Sequence, residues 1–304
     1  MAQPLARPPA RDLGLLAIAV AFISTSGPII AVTAAPALAI AFWRCAFGSA
    51  ATAPWVFARQ FTELKALVRR EWFLAIGAGL FLGAHFATWI PSLRFTSVAS
   101  STALVATQPV WAAMIAVFLG VRITRRVWVG IAIALLGAVV LTGVDFSFDP
   151  RALIGDALAV IGAMLAAAYV STGERARQTI STATMTLIVY ATAAIALLLL
   201  CLVMREPLTG FDAQAWLLII ALTLGAQLLG HTLINRVLET TSSTITSLAI
   251  LFEMPGATLI AAVWLHQVPP LAIIPAVILM FIGLFVVIRG TTAPDAALTE
   301  SSPI

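Results

Sequence analysis

Runs of about twenty apolar residues recur along this chain with only short connectors between them, and they dictate the solvent it folds in. Ten such runs lie near 13–32, 37–58, 72–93, 97–121, 127–143, 153–173, 183–203, 214–235, 243–264 and 271–288. At roughly 1.5 Å of rise per residue, each is long enough to cross the hydrocarbon of a bilayer as a helix. Of 304 residues, 61% are hydrophobic and 10% charged, and the mean hydropathy is +1.05. A soluble domain is about half apolar and about a quarter charged; here too little polar surface remains to face water. The expected fold is an all-α integral membrane protein of ten transmembrane helices. The longest connector, Arg59 to Glu71, is too short for a soluble catalytic module.

The first run also has the layout of a secretory signal, with "RPPARD" before it and a small-residue stretch, "TAAPALA", after it. Its length suits a retained spanning helix. A net charge of +4 and a pI near 9.8 do not point to nucleic acid, because the basic residues are scattered over connectors and form no stripe. They set orientation instead. With the N-terminus inside, the inner segments carry Arg7, Arg11, Arg59, Lys65, Arg69, Arg70, Arg122, Arg125, Arg126, Arg175, Arg177, Arg236 and Arg289. The outer connectors carry only Arg94, Arg151 and Arg205, so both termini are expected in the cytoplasm. Cys45 and Cys201 lie inside apolar runs and read as buried thiols rather than a disulfide. No spacing of His and Cys suggests a metal site.

Ten helices divide into two halves of five, and an odd number per half inverts the second relative to the first. A gapless offset of 146 aligns 79–141 with 225–287. It pairs Gly79 with Gly225, His85 with His231, Ser97 with Ser243, Ser101 with Ser247, Pro109 with Pro255 and Gly137 with Gly283. Two of the chain's three histidines fall on each other. Inverted repeats of this kind build transporters, with the site at mid-membrane where interrupted helices meet. Pro109 and Pro255 fall near the midpoints of runs four and nine, where each removes a backbone donor and loosens its helix. As isolated features they would equally be packing kinks.

Several polar residues lie deep in these runs. Glu253, in "SLAILFEMPG", must face the interior, find a partner or be neutral, because a charged group in lipid costs roughly 2.5–3.5 kcal/mol on insertion scales. It either meets a substrate amine or exchanges a proton, or it is a packing acid bonded to Thr246 or Ser247. His85 and His231 suit a cavity wall or, equally, interhelical hydrogen bonds. Gln227 and His231 are four apart and share an α-helical face, as do Phe81, His85 and Trp89. Ser97, Ser101, Leu104, Gln108 and Trp111 follow helical spacing along run four. Such stripes combine hydrogen-bonding groups with flat apolar walls, as a permissive pocket for small amphiphiles requires. Trp55, Trp72 and Trp128 read as interfacial anchors. Arg44 either snorkels outward or turns its planar fork to a carboxylate in the cavity. Gly79 and Gly83 have GxxxG spacing, suited to close helix packing. Ser24, Ser26, Gly27 and Pro28 interrupt run one, and Tyr169 and Ser171 sit near the equivalent depth in run six.

"GLFLGAHFATWIPSLRFTSVASSTALVATQPVWAAMIAVFLGVRIT" (Gly79 to Thr124) resembles the third and fourth helices of EamA-type proteins in the drug/metabolite transporter superfamily. "GIAIALLGAVVL" (Gly130 to Leu141) is similar to their fifth, and "LETTSSTITSLAILFEMPGATLIAAVWLHQ" (Leu238 to Gln267) repeats the pattern. "FWRC" (Phe42 to Cys45) is similar to their helix-two arginine region. The usual "GE" end reads "GV" at Gly120–Val121 and "HQ" at His266–Gln267, so no role for that acid carries over. The resemblance implies EamA-like repeats over 11–143 and 153–289, with 290–304 as a short cytoplasmic tail. It implies a multi-pass protein of the bacterial inner membrane, similar to bacterial amino-acid exporters, including those for aromatic amino acids. The mechanism implied is alternating access around a midplane cavity, with an amino acid or similar amphiphile and the lipid bilayer as partners. No cofactor is implied. The expected substrate-binding residues are His85, Trp89, Ser101, Gln108, Trp111, Gln227, His231 and Glu253. Efflux of drugs or other metabolites by the same fold is the first alternative. An intramembrane enzyme, which would need a nucleophile–base pair or a metal cluster, is the second.

Overall fold

The apolar runs fold as helices packed side by side. A computed structural model describes residues 8–96, 98–142, 149–266, 268 and 271–291. The first half contains α1 (Ala10–Ile23), α2 (Ser26–Val32), α3 (Ala37–Arg59), α4 (Phe61–Ala66), α5 (Arg69–Ser92), α6 (Val98–Val105), α7 (Gln108–Phe118) and α8 (Arg125–Thr142). The second contains α9 (Pro150–Ala176), α10 (Thr182–Met204), α11 (Ala213–Leu222), a π-helical run (Thr223–His231), α12 (Thr232–Val237), α13 (Ser243–Ile250), α14 (Glu253–Trp264) and α15 (Ile273–Arg289). No β-strand occurs among the described residues.

Among the described residues, eight stretches are long and apolar enough to cross a bilayer: Ala10–Val32, Arg69–Ser92, Ser100–Phe118, Arg125–Thr142, Pro150–Ala176, Thr182–Met204, Ala213–Val237 and Ser243–Trp264. α3 has 23 residues but carries Arg44 within its apolar part, and α15 is apolar but has 17 residues. The connector after α3 is not plain loop: α4 occupies Phe61–Ala66. Ser97, Gln267 and the expected tail from 292 onward lie outside the described residues.

Four of the spanning stretches are interrupted. α1 gives way to α2 at Ser24–Thr25, where both hydroxyls donate back to carbonyls of the preceding turn, Val20 and Phe22. α6 ends at Val105 and α7 starts at Gln108; α13 ends at Ile250 and α14 starts at Glu253. Under the offset of 146 the two breaks fall within one residue of each other. Pro109 and Pro255 each sit in the first turn of the second piece, where a missing N–H removes no helical hydrogen bond. The fourth interruption is the π-helical run, which joins α11 to α12 without ending the helix.

Close helix contacts are made by small residues. Gly79 and Gly83 of α5 face α10, where a Cβ on Gly79 would stand 2.7 Å from the Val189 carbonyl oxygen. α8 and α15 approach through Gly130, Gly137 and Gly283. α5 lies along α9, and the π-helical run along α1. α10 packs on α3 and α5, while α7 packs on α9 and α13. The largest buried side chains are Arg44, Tyr190 and Phe86, so the interior around the helix breaks is neither uniformly apolar nor lipid-like. Large apolar groups such as Phe73, Phe118 and Val263 point outward, as does Trp55. Cys45 and Cys201 are free buried thiols.

Candidate functional site

Arg44 is fully buried, although its side chain is long enough to snorkel from an outer helix turn. Its Nε donates to Gln227 Oε1 at 2.8 Å, and its Nη1 donates to Ser26 Oγ at 3.3 Å. The guanidinium carbon stands 4.2 Å from the centroid of the Phe86 ring, a cation–π distance. Nη2 is buried with no hydrogen-bond partner. Of the two sequence-level alternatives for this residue, the outward one is therefore excluded. Its polar partners are an amide and a hydroxyl rather than a carboxylate.

Gln227 is also fully buried and belongs to the π-helical run. Its carbonyl accepts from the Tyr190 hydroxyl at 2.8 Å and from the Thr232 N–H. Its side-chain Nε2 has no partner. Gly48, one turn along α3 from Arg44, makes room for this cluster: a Cβ there would lie 3.0 Å from Tyr190 and 3.1 Å from Gln227. Gln227 and His231 both lie in the π-helical run, where residues four apart are still about one turn apart. Gln227 reaches Arg44, whereas His231 meets the Phe86 ring edge-on at 5.6 Å and lies 6.1 Å from Tyr169. Phe86 thus has Arg44 on its face and His231 at its side. His231 Nδ1 is buried without a partner.

His85 is held more firmly. Its Nδ1–H donates to the Gly162 carbonyl at 2.9 Å, and its ring stacks on Trp89 at 5.7 Å with planes 4° apart. The Trp89 indole N–H is buried and unpartnered. Ser101 shares a 2.6 Å hydrogen bond with Ser92, whose hydroxyl also lies 2.6 Å from the Trp89 carbonyl. Gln108 Nε2 donates to Ser247 Oγ at 3.1 Å, joining the two broken helices at their breaks. Trp111 donates to Thr107 Oγ1 at 3.1 Å on its own helix. The stripe through Ser101, Gln108 and Trp111 is interrupted by the break between α6 and α7.

Glu253 opens α14 and is half-buried. Among the described residues it makes no hydrogen bond or ion pair, since Ser247 is engaged with Gln108 and the Thr246 hydroxyl has no partner. It lies close enough to Arg44 for a through-space attraction. Sequence reading left Arg44 between two roles and missed Phe86, Tyr190 and Asn235. Asn235 accepts from the Tyr169 hydroxyl at 2.6 Å. A buried Phe or Tyr in an apolar run carries no sequence mark that separates it from ordinary packing.

A second polar cluster lies between the ends of α9 and α12. Arg177 forms an ion pair with Glu239, donates to the Asn235 carbonyl at 3.1 Å and also bonds the Ile180 carbonyl. Asp12 accepts from the hydroxyls of Thr240 and Thr241, and Glu174 accepts from the Ser243 N–H at 2.8 Å. The connector between α12 and α13 is thereby tied to both α1 and α9.

The model of the EamA-like transporter family matches residues 13–143 and again 153–289. No curated protein sequence matches the chain. A solved crystal structure superposes with a TM-score of 0.77 over 96% of this chain and 99% of its own, at 22% identity. At that identity the likeness concerns the fold.

Proposed function

The chain belongs to the EamA-like transporter family, and on that premise we propose that it exports amino acids, aromatic ones among them, across the bacterial inner membrane. Transport proceeds by alternating access. Two inverted five-helix halves, 11–143 and 153–289, close in turn around a midplane cavity, with α3 and α15 completing a set of ten spans. Both termini face the cytoplasm. The packing supports this reading: exchanging each span with the one five later turns the α5–α9 contact into that of the π-helical run with α1. The same exchange maps the α8–α15 contact onto itself.

The observation that carries the reading is the set of buried polar atoms without partners. Among the described residues they are on Arg44, Trp89, Asp156, Ser171, Gln227, His231, Thr244 and Thr246, spread over helices from both halves. A sealed packing core satisfies such atoms; a site that takes up a polar solute holds them ready. Glu253 meets the substrate ammonium beside the break between α13 and α14. His85 with Trp89, and Gln108 with Ser101, form walls of mixed character. Trp111 extends the apolar side. Phe86 and Trp89 also suit flat apolar solutes, which favours efflux of other small amphiphiles as the second reading. The test is counterflow in proteoliposomes with a panel of L-amino acids. Exchange of at least one aromatic amino acid is expected; exchange of none overturns the substrate class.

A further inference from the structure

We infer that Arg44 and Gln227 together form a carboxylate subsite, which takes the acid end of the transported molecule. This rests on the transport reading above. Arginine presents five N–H donors in a rigid plane. Here Nε is used by Gln227 and Nη1 by Ser26, and Phe86 covers one face of the plane. The remaining group, Nη2, is buried and has no acceptor. Gln227 has spent its amide oxygen on Arg44, and its amide NH₂ is likewise buried with no acceptor. Two bonded neighbours therefore each keep a free donor group.

A fully buried cation requires an anion or a dense set of acceptors. Among the described residues no acidic side chain forms an ion pair with Arg44. The charge is therefore uncompensated at contact distance. A planar two-oxygen anion of single charge suits one guanidinium edge and one amide. A phosphate would call for more positive charge than one arginine supplies. The donors are also held in place before any ligand arrives. Tyr190 fixes the Gln227 backbone, and Gly48 lets α3, α10 and the π-helical run come together behind them. With the carboxylate here and the ammonium toward Glu253, the two ends of an α-amino acid meet different side chains, Arg44 from the first half of the chain and Gln227 and Glu253 from the second.

The test uses the full chain in lipid nanodiscs and four probes: L-phenylalanine, 3-phenylpropionate, L-phenylalaninol and phenethylamine. Titration calorimetry should show both carboxylate-bearing probes binding at least roughly tenfold more tightly than their partners without one, phenylalaninol and phenethylamine, as befits a charge-assisted hydrogen bond. Arg44→Gln and Gln227→Leu should erase that ranking. Because either variant could misfold, the wild-type ranking decides by itself: equal affinity for phenylalanine and phenylalaninol, or no binding of either carboxylate at millimolar concentration, overturns the subsite. A folded Arg44→Gln protein that keeps the ranking also overturns it. If 3-phenylpropionate binds through Arg44 while counterflow fails for every amino acid, the subsite stands and the substrate reading falls.

Discussion

Gly283 and Gly130 face each other where α15 crosses α8: a Cβ on Gly283 would stand 2.5 Å from the Gly130 carbonyl oxygen. No side chain fits that contact without separating the helices. Gly283→Leu should destabilise the fold by overpacking, which costs about 1–3 kcal/mol in well-packed cores. A lowered melting temperature in detergent, with Gly27→Ala unchanged as a control in open space, checks this.

Pro109 and Pro255 stand at the starts of α7 and α14. Replacing either by alanine restores a donor and permits the two pieces to join into one continuous helix. Pro109→Ala and Pro255→Ala should slow counterflow severalfold while membrane insertion stays normal. Wild-type rates in both would assign these prolines to packing alone.

Glu253→Gln retains the shape of the side chain and removes its charge. The variant should fold, yet transport roughly tenfold more slowly, or lose a pH dependence that wild type shows between about pH 5 and about pH 8. Normal rates for every amino acid across that range would reduce Glu253 to a packing residue.

Outside the membrane, Glu63 of α4 clasps the start of α10. Burial alone would raise its pKa. The Ser181 hydroxyl and N–H, the Thr184 hydroxyl and the charge of Arg177 outweigh that and hold it below the usual glutamate value. A depressed folded pKa contributes stability that is complete above the unfolded value, about 4.3, and is lost as pH falls through the folded one. Wild-type melting temperature should therefore drop as pH falls below that value, and Glu63→Gln should flatten the drop. Parallel curves for the two proteins would show that the clasp contributes nothing.

The arginine distribution motivates the proposed orientation. Tags at both ends should be labelled only from the cytoplasm. A tag at Ile304 labelled from the periplasm would overturn the proposed ten-span arrangement with inverted halves.

Much of this architecture is legible from residue order because lipid is a strict solvent. It requires long apolar helices, and it makes three of the four interruptions, at Ser24, Pro109 and Pro255, visible as a polar residue or a proline. The candidate site is less legible. Gln227, His85 and Glu253 stand out as polar groups in apolar runs, but which of them meet depends on how helices from different halves rotate against each other. Arg44 reads equally well as a snorkelling cation until Gly48, Phe86 and Gln227 are seen to enclose it. The π-helical run is invisible in the sequence, since Thr223–His231 has the composition of an ordinary helix.

A π-helical turn holds about one residue more than an α-helical turn, so Thr223–His231 works as a store of spare chain. Removing a residue from an ordinary spanning helix rotates everything beyond it by about 100°. Here a deletion could be absorbed by reversion of one turn to α geometry, leaving α12 seated against α1. The loss would fall on Gln227 and its grip on Arg44. Length variation in this segment among natural relatives would then mark changes in what is carried, with the scaffold unaltered.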